Sequence, residues 1–498
     1  MKNVLLITLD QLRGDSLSCA GHPVVRTPHL DHLANSGVRF ARHYTQATPC
    51  SPGRASLYTG TYQMNNRVVA NGTPLDDRFD NVARLALRAG VRGELFGYTD
   101  QAIDPRVTTS PDDPRLLTYE ELLPGFEWRL NLSGTHQPWL DFLASHGYDT
   151  SCGHMRLLAT ENERPVEHSI TRFMTDVLIE HLESRDQSQP FFVHASYLRP
   201  HPPYCAAGEY STMYSPDEVG PPIPVLDDPH PFHQLVLSLP EVRSPVDEAA
   251  MAHQRAQYFG MISHVDAEMG RLWEALKRLG RWDDTVVIVT ADHGEMNGDH
   301  GLQQKLGWWE ESHHVPLLWR DPTRPHAHGR VVTSFTEHVD VMPTLAETWG
   351  HDVPRQCDGY PLTPFLNGDE PPVWRDAASW EYDWRYALIP LVENPWPWDR
   401  RLETYNLAVH RTDDTVYVQF GDGSSLCYDL AADPTWRTPV TDHARILDMA
   451  QRMLVWRSRH LDRTHTGLLV DKGGVGEWPT SVPWRGNDTT NHTTGTTS

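Results

Sequence analysis

The sequence predicts an α/β sandwich on a large, mostly parallel sheet between helices, followed by a small antiparallel sheet that carries one helix. Short continuous apolar runs, Val4 to Leu9 and Val286 to Val289, have the pattern of strands buried on both faces. Segments with helical periodicity alternate with such runs, as crossovers between parallel strands require. From about Trp380 the texture changes to short β-rich runs separated by turn residues, which is the pattern of hairpins.

The first strand, Val4 to Leu9, runs into Asp10-Gln11. Thr27-Pro28 then opens a helix that stops at Gly37, with a hydroxyl at the N-cap and proline at the first helical position. A helix over Asn81 to Ala89, stopped by Gly90, precedes a strand over Gly93 to Tyr98. Ser169 to Glu183 reads as a helix before the strand Phe191 to Ala195, and Asp247 to Leu279 as a long helix before Val286 to Val289. His264 and Asp266 fall on that long helix and read as part of its exposed polar face. Further on, Leu407 to Val409, Val416 to Phe420 and Leu426 to Tyr428 are split by Thr412-Asp413-Asp414 and Gly421-Asp422-Gly423. A helix from Asp442 to His460 is expected to cover one face of their sheet. The expected organisation is a large α/β domain over 1–375, an α+β subdomain over 376–463 and an extended tail over 464–498. The end of that tail, Gly486 to Ser498, has little to bury and reads as unstructured.

Charge narrows the function. With 43 Lys plus Arg against 66 Asp plus Glu, the net charge of −23 sets aside nucleic acid and anionic membranes as partners. Six scattered cysteines without a C-x-x-C pair read as thiols of a reducing compartment. Val4 to Leu9 is too short and too soon charged for a secretory leader, and no apolar run reaches the roughly 18 residues of a membrane span. A cytoplasmic location is the expectation.

Two buried strands end alike, Leu9 in Asp10-Gln11 and Ala291 in Asp292-His293. Ligands of open α/β sheets bind at the carboxyl ends of strands, so these four residues are candidates to meet around one hard divalent cation, the imidazole favouring Mn over Mg. Capping of the following turns is the alternative for either aspartate alone. Between them, Cys50-Ser51-Pro52-Gly53-Arg54 opens a helix. Free N–H groups at a helix start favour an anion there, and Arg54, one turn on, reaches the same end. The plainer reading of Cys50 is a buried structural cysteine.

Cys50-Ser51-Pro52-Gly53-Arg54 resembles the C-x-P-x-R signature of the sulfatase family of the alkaline phosphatase superfamily, whose cysteine is converted to formylglycine (3-oxoalanine). Asp10-Gln11, Thr27-Pro28-His29-Leu30-Asp31, Arg199-Pro200-His201-Pro202-Pro203 and Asp292-His293-Gly294-Glu295 through Asp299-His300-Gly301 to Lys305 resemble the same family, in its order. Within it, Met64-Asn65, Asn71, Pro74-Leu75-Asp76, Phe96-Gly97-Tyr98-Thr99 and Asp104-Pro105-Arg106 are similar to the phosphonate monoester hydrolase branch. Where many sulfatases carry a Lys and a His, this chain has Tyr98 and Asp100, which removes positive charge from the anion pocket.

The resemblance implies an alkaline phosphatase-like fold and one divalent metal, Mn2+ or Ca2+, on Asp10, Gln11, Asp292, His293 and the converted residue 50. It further implies that Cys50 supplies the nucleophile beside Arg54, with His201 and Lys305 as candidate acids for the leaving oxygen. Asn71, Tyr98 and Asp100 would contact the substrate. The expected substrate is a small anionic ester: a phosphonate monoester or phosphodiester, with sulfate monoesters as a related activity. A dedicated aryl or small alkyl sulfatase of the choline sulfate type, and a non-catalytic oxyanion-binding protein with unmodified Cys50, remain as alternatives. Implied partners are a formylglycine-generating enzyme and, through the C-terminal region, a second copy of the chain. His201 in its proline-rich loop and Lys305 in a chain with only four lysines favour function over surface filler. Asp100, if ionised near the pocket, would repel a second negative charge and disfavour phosphate monoesters.

Overall fold

Every residue of β1 (Asn3–Leu9) is buried, and its side chains feed two cores in turn. Leu5, Ile7 and Leu9 pack beneath the helices Ile170–Ser184 and Glu248–Arg278. Val4 and Leu6 pack on the other face with the helices Cys50–Thr59, Val82–Arg88 and Val341–Thr348. Period-two alternation along a strand gives such a sheet two apolar faces and a helix layer on each. The computed structural model describes residues 2–383, 404 and 406–461, with two short strands at 470–471 and 474–475. Apart from those strands, the expected tail lies outside the described residues.

The other strands of the large sheet are β2 (Val38–Tyr44), β3 (Gly93–Gly97), β4 (Phe126–Asn131), β5 (Phe192–Tyr197), β6 (Thr285–Thr290), β7 (His314–Arg320), β8 (Arg330–Val332) and β9 (Thr336–Glu337). Their order is β4-β3-β5-β1-β6-β7-β2-β8, with β9 also on β2. All pairings are parallel except those of β7, which is antiparallel to both β6 and β2. The mixed, mostly parallel sheet is as expected. β2, β4 and β7 were not anticipated, because Arg39, Arg42 and Arg129 break the apolar runs and Pro316 interrupts the third.

A second, antiparallel sheet contains β10 (Ala378–Tyr382), β11 (Leu407–Arg411), β12 (Thr415–Phe420) and β13 (Ser425–Asp429). The helix His443–His460 lays Met449, Met453 and Trp456 against Ala408, Tyr417 and Cys427 on one face. Trp380, Val409 and Phe420 on the other face join Trp308 and Trp309 of the large domain.

One expectation is corrected. His264 and Asp266 are buried, not part of an exposed face. The long helix is covered on several sides, and Asp266 accepts the backbone N–H groups of His29 and Leu30 at 2.7–3.2 Å. Asp266 therefore caps the helix Pro28–Asn35, while the Thr27 side chain makes no cap bond. Among the described residues no helix is long and apolar enough to cross a membrane.

Candidate active site

The carboxyl ends of β1, β2, β3, β5 and β6 open on one edge of the sheet, and the sequence-predicted site residues follow them. The β1/β6 register pairs Thr8 with Thr290, which brings Asp10 and Asp292, two residues on, to the same level. Cys50 starts its helix after β2. That helix lies close against the end of β6: a Cβ on Gly53 would come within 2.5 Å of the Asp292 carbonyl oxygen. Only glycine permits this approach.

Asp10, Cys50, Asp292 and His293 each present a ligand atom within 4.8 Å of the others, all buried. Cys50 Sγ is 3.3 Å from His293 Nε2. His293 Nδ1 lies 3.0 Å from the Gly294 carbonyl, so Nδ1 donates there and Nε2 turns its lone pair to the cluster. Asp10 Oδ1 is buried without a hydrogen-bond partner. An orphaned carboxylate oxygen beside a second carboxylate and an imidazole lone pair is the donor set of a divalent cation. These residues fit one.

Arg54 is the organic counter-charge. Its Nε donates to Asp292 Oδ2 at 2.9 Å, its Nη2 to Asp10 Oδ2 at 3.1 Å, and its Nε is 3.3 Å from Asp100 Oδ2. Ser196 Oγ accepts from Nη1 at 2.8 Å, and the Tyr98 ring lies 4.8 Å from the guanidinium. Tyr98 Oη donates to Asp10 Oδ2 at 2.7 Å. The Tyr98 hydroxyl thus braces a carboxylate as well as facing the site.

Lys305 Nζ donates to Gln11 Oε1 at 2.9 Å and meets His201 Nε2 at 3.1 Å. Gln11 lies beside the cluster, its backbone N–H donating to Asp292 Oδ1 at 3.1 Å. Asn71 Oδ1 accepts the Ser51 N–H at 3.0 Å and so caps the Cys50 helix. Sequence reasoning missed Glu295, Tyr204 and Ser196 as parts of the site. Glu295 was visible as a charged residue inside a motif; Ser196 and Tyr204 carried no signal of their own.

Burial dominates the titration. It pushes the Cys50 thiol well up against the pull of Lys305, and it raises Asp10, with Asp292 adding to the effect. Burial works the same way on Asp292, but His293, Arg54 and Lys305 overcome it and hold that carboxyl below the usual range. It draws His293 down to about 4 and His201 well below its ordinary value, Lys305 contributing to the latter. Burial opposes the charge of Lys305, yet Cys50, Asp10 and Asp292 more than offset it. Burial also lifts Asp100 well above the carboxylate range despite Arg54. Burial thus disfavours the ionised form of Asp100 on which the expected repulsion of a second negative charge depends.

A largely parallel α/β sheet with this cluster at its carboxyl edge defines an alkaline phosphatase-like protein. The sequence profile described as "Sulfatase" matches residues 2–351, and "N-sulphoglucosamine sulphohydrolase, C-terminal" matches 298–455. The multifunctional alkaline phosphatase superfamily protein PehA of Trinickia caryophylli is 34% identical, over 95% of this chain and 98% of its own. The crystal structure of the phosphonate monoester hydrolase of Agrobacterium radiobacter is similar with a TM-score of 0.86 and 39% identity, over 96% of this chain and all of that one. The phosphonate monoester hydrolase of Silicibacter pomeroyi gives 0.83 and 33%, over 95% and 98%. The chain belongs to the Sulfatase family of ester hydrolases.

Proposed function

We propose that this enzyme hydrolyses small monoanionic esters, phosphonate monoesters and phosphodiesters foremost and sulfate monoesters as a related activity, with Cys50 converted to formylglycine by a maturation enzyme. The observation that carries this reading is the position of Cys50: at a helix start, 3.3 Å from His293 and inside the Asp10/Asp292/His293 cluster. The likeness to two phosphonate monoester hydrolases over nearly the whole chain supports the substrate class.

Asp10, Asp292 and His293 would hold one divalent cation; Gln11 Oε1 accepts from Lys305 Nζ and could add only its second lone pair. When bound, that cation supplies Lewis-acid activation and compensates charge on the transferred group. In its converted form residue 50 supplies a nucleophilic oxygen and a second hydroxyl through which the oxyanion is expelled without attack by water at the reacting centre. Arg54 holds both carboxylates of the cluster in place and favours their charged forms. Asn71 Oδ1 caps the first turn by accepting the Ser51 N–H, and its Nδ2 would donate to the transferred group. Lys305 Nζ, 3.1 Å from His201 Nε2, would stabilise or protonate the leaving oxygen. A monoanionic ester suits a pocket whose fixed cations are Lys305 and Arg54, with Arg54 already committed to carboxylates.

The test is a side-by-side measurement of kcat/KM on aryl phosphonate, phosphodiester, sulfate ester and phosphate monoester with the metal controlled. Phosphonate or diester should lead. A sulfate ester far ahead of both would establish the dedicated sulfatase instead, as with the choline-sulfatase of Rhizobium meliloti, 28% identical over 89% of this chain. A phosphate monoester in first place would contradict the charge argument.

A further inference from the structure

Glu295 lies two residues past His293 and is fully buried. Its carboxylate is surrounded by donors from three loops. Oε1 accepts the backbone N–H of Asn297 at 2.7 Å and of Gln304, the neighbour of Lys305, at 2.6 Å. Oε2 accepts Tyr204 Oη at 2.8 Å and Gln11 Nε2. Tyr204 sits on the same proline-rich loop as His201.

These contacts fix which way the Gln11 amide points. A carboxylate only accepts and an ammonium only donates. Between Glu295 and Lys305, the Gln11 side chain is therefore stable in one orientation, with its nitrogen on Glu295 and its oxygen on Lys305 Nζ. The reverse would set an NH2 against an ammonium and an oxygen against a carboxylate. The Gln11 backbone is held at φ 70°, in the left-handed region. That conformation is costly for a residue with a side chain, and Tyr258 Oη helps to hold it by donating to the Gln11 carbonyl at 2.8 Å. At the far end, His201 Nδ1 lies 2.8 Å from the Pro202 carbonyl, which leaves Nε2 to accept from Lys305.

We propose that Glu295, with Tyr204, is a positioning residue that aims the Lys305 ammonium at the leaving oxygen, through Gln11 and the Gln304 backbone on one side and the His201 loop on the other. Glu295 touches no reacting atom; it acts by holding the donor in line. The inference rests on the proposed role of Lys305. Its signature is a dependence on the leaving group, because a well-aimed donor matters most when the departing oxygen is basic.

The experiment compares kcat/KM for a series of substituted phenyl phosphonate monoesters, from nitrophenyl to unsubstituted phenyl. Wild type, Lys305→Ala, Glu295→Gln and Tyr204→Phe are each checked for metal content and thermal midpoint. Glu295→Gln should lose about tenfold on the nitrophenyl ester and about a hundredfold or more on the phenyl ester, part of the general-acid contribution. Tyr204→Phe, which removes one donor and keeps the ring, should steepen the series less and carries the same test where Glu295→Gln fails to fold. A steep Lys305→Ala series with flat Glu295→Gln and Tyr204→Phe series would overturn this inference alone. A flat Lys305→Ala series would overturn the role of Lys305 and the inference with it.

Discussion

The two halves of the candidate site are built by different means. On the cluster side, Asp10 and Asp292 stand just beyond adjacent parallel strands, and the pairing of Thr8 with Thr290 brings them level. On the opposite side, His201 and Lys305 come from loops four residues past β5 and fifteen past β6. No register places them. Arg199 holds the His201 loop by donating to the His201 and Pro203 carbonyls, each at 2.7 Å, and to Glu161; Glu295 holds the approach to Lys305. Backbone pairing sets the ligands that must meet at one point. Buried polar side chains set the groups that must face a substrate, so the second half depends on single residues in a way the first does not.

The largest expected effect breaks the cluster side at its centre. Cys50→Ala should reduce turnover to the uncatalysed background while leaving the thermal midpoint near wild type, since one small buried side chain is trimmed and no charge is unpaired. Wild-type rates in that variant would contradict the assignment. Asp292→Ala should lose both bound metal and activity, and full metal occupancy there would refute the proposed ligand geometry. Arg54→Met should cost stability rather than chemistry alone, by about 3–5 kcal/mol, because Asp10 and Asp292 lose their shared buried counter-charge. Chemical denaturation measures it. On the loop side, His201→Ala and Lys305→Ala should keep their metal and lose about 10²–10⁴-fold in kcat/KM with poor leaving groups. Loss of metal in those variants would erase the distinction between the halves.

That distinction also governs what could be read beforehand. An apolar run ending in Asp10 and another ending in Asp292 state the sheet, the edge and the cluster in one pattern, and Cys50 to Arg54 states the helix between them. The surroundings were harder to read. Asp266 and Ser196 have no local pattern, because their partners, the N–H groups of His29 and Leu30 and the Arg54 guanidinium, lie more than a hundred residues away. Asp100 was legible as a residue near the site but its ionisation was not, since burial depends on the packed protein and not on the sequence around it.

Smaller effects sharpen the same point. Asp100→Asn should leave the ratio of diester to phosphate monoester kcat/KM nearly unchanged, because burial already disfavours the charge that the substitution removes. A large shift in that ratio would show the carboxyl ionised in the working enzyme. Away from the site, burial, aided by Arg199 and Arg172, pulls His264 down to about 3. The unfolded chain takes up this proton near its ordinary value while the folded chain resists it, so His264 contributes stability that is fully present above about pH 6.5 and is lost as pH falls toward 3. The thermal midpoint of His264→Gln should therefore fall less between pH 6.5 and 4 than that of wild type, and an unchanged slope would contradict the shift. Asp266→Ala should cost about 1 kcal/mol, the value of a lost helix cap, read from the same melts.

The central claim is that residue 50 works as formylglycine. Trypsin cuts after Arg42 and Arg54 and releases the peptide 43–54 with Cys50 inside it. The decisive measurement is the mass of this peptide from enzyme purified from its native host, taken together with turnover of the same preparation. The account predicts the aldehyde mass in place of the thiol mass, with activity proportional to the converted fraction across preparations. A fully active preparation whose peptide carries only the unmodified cysteine would contradict it.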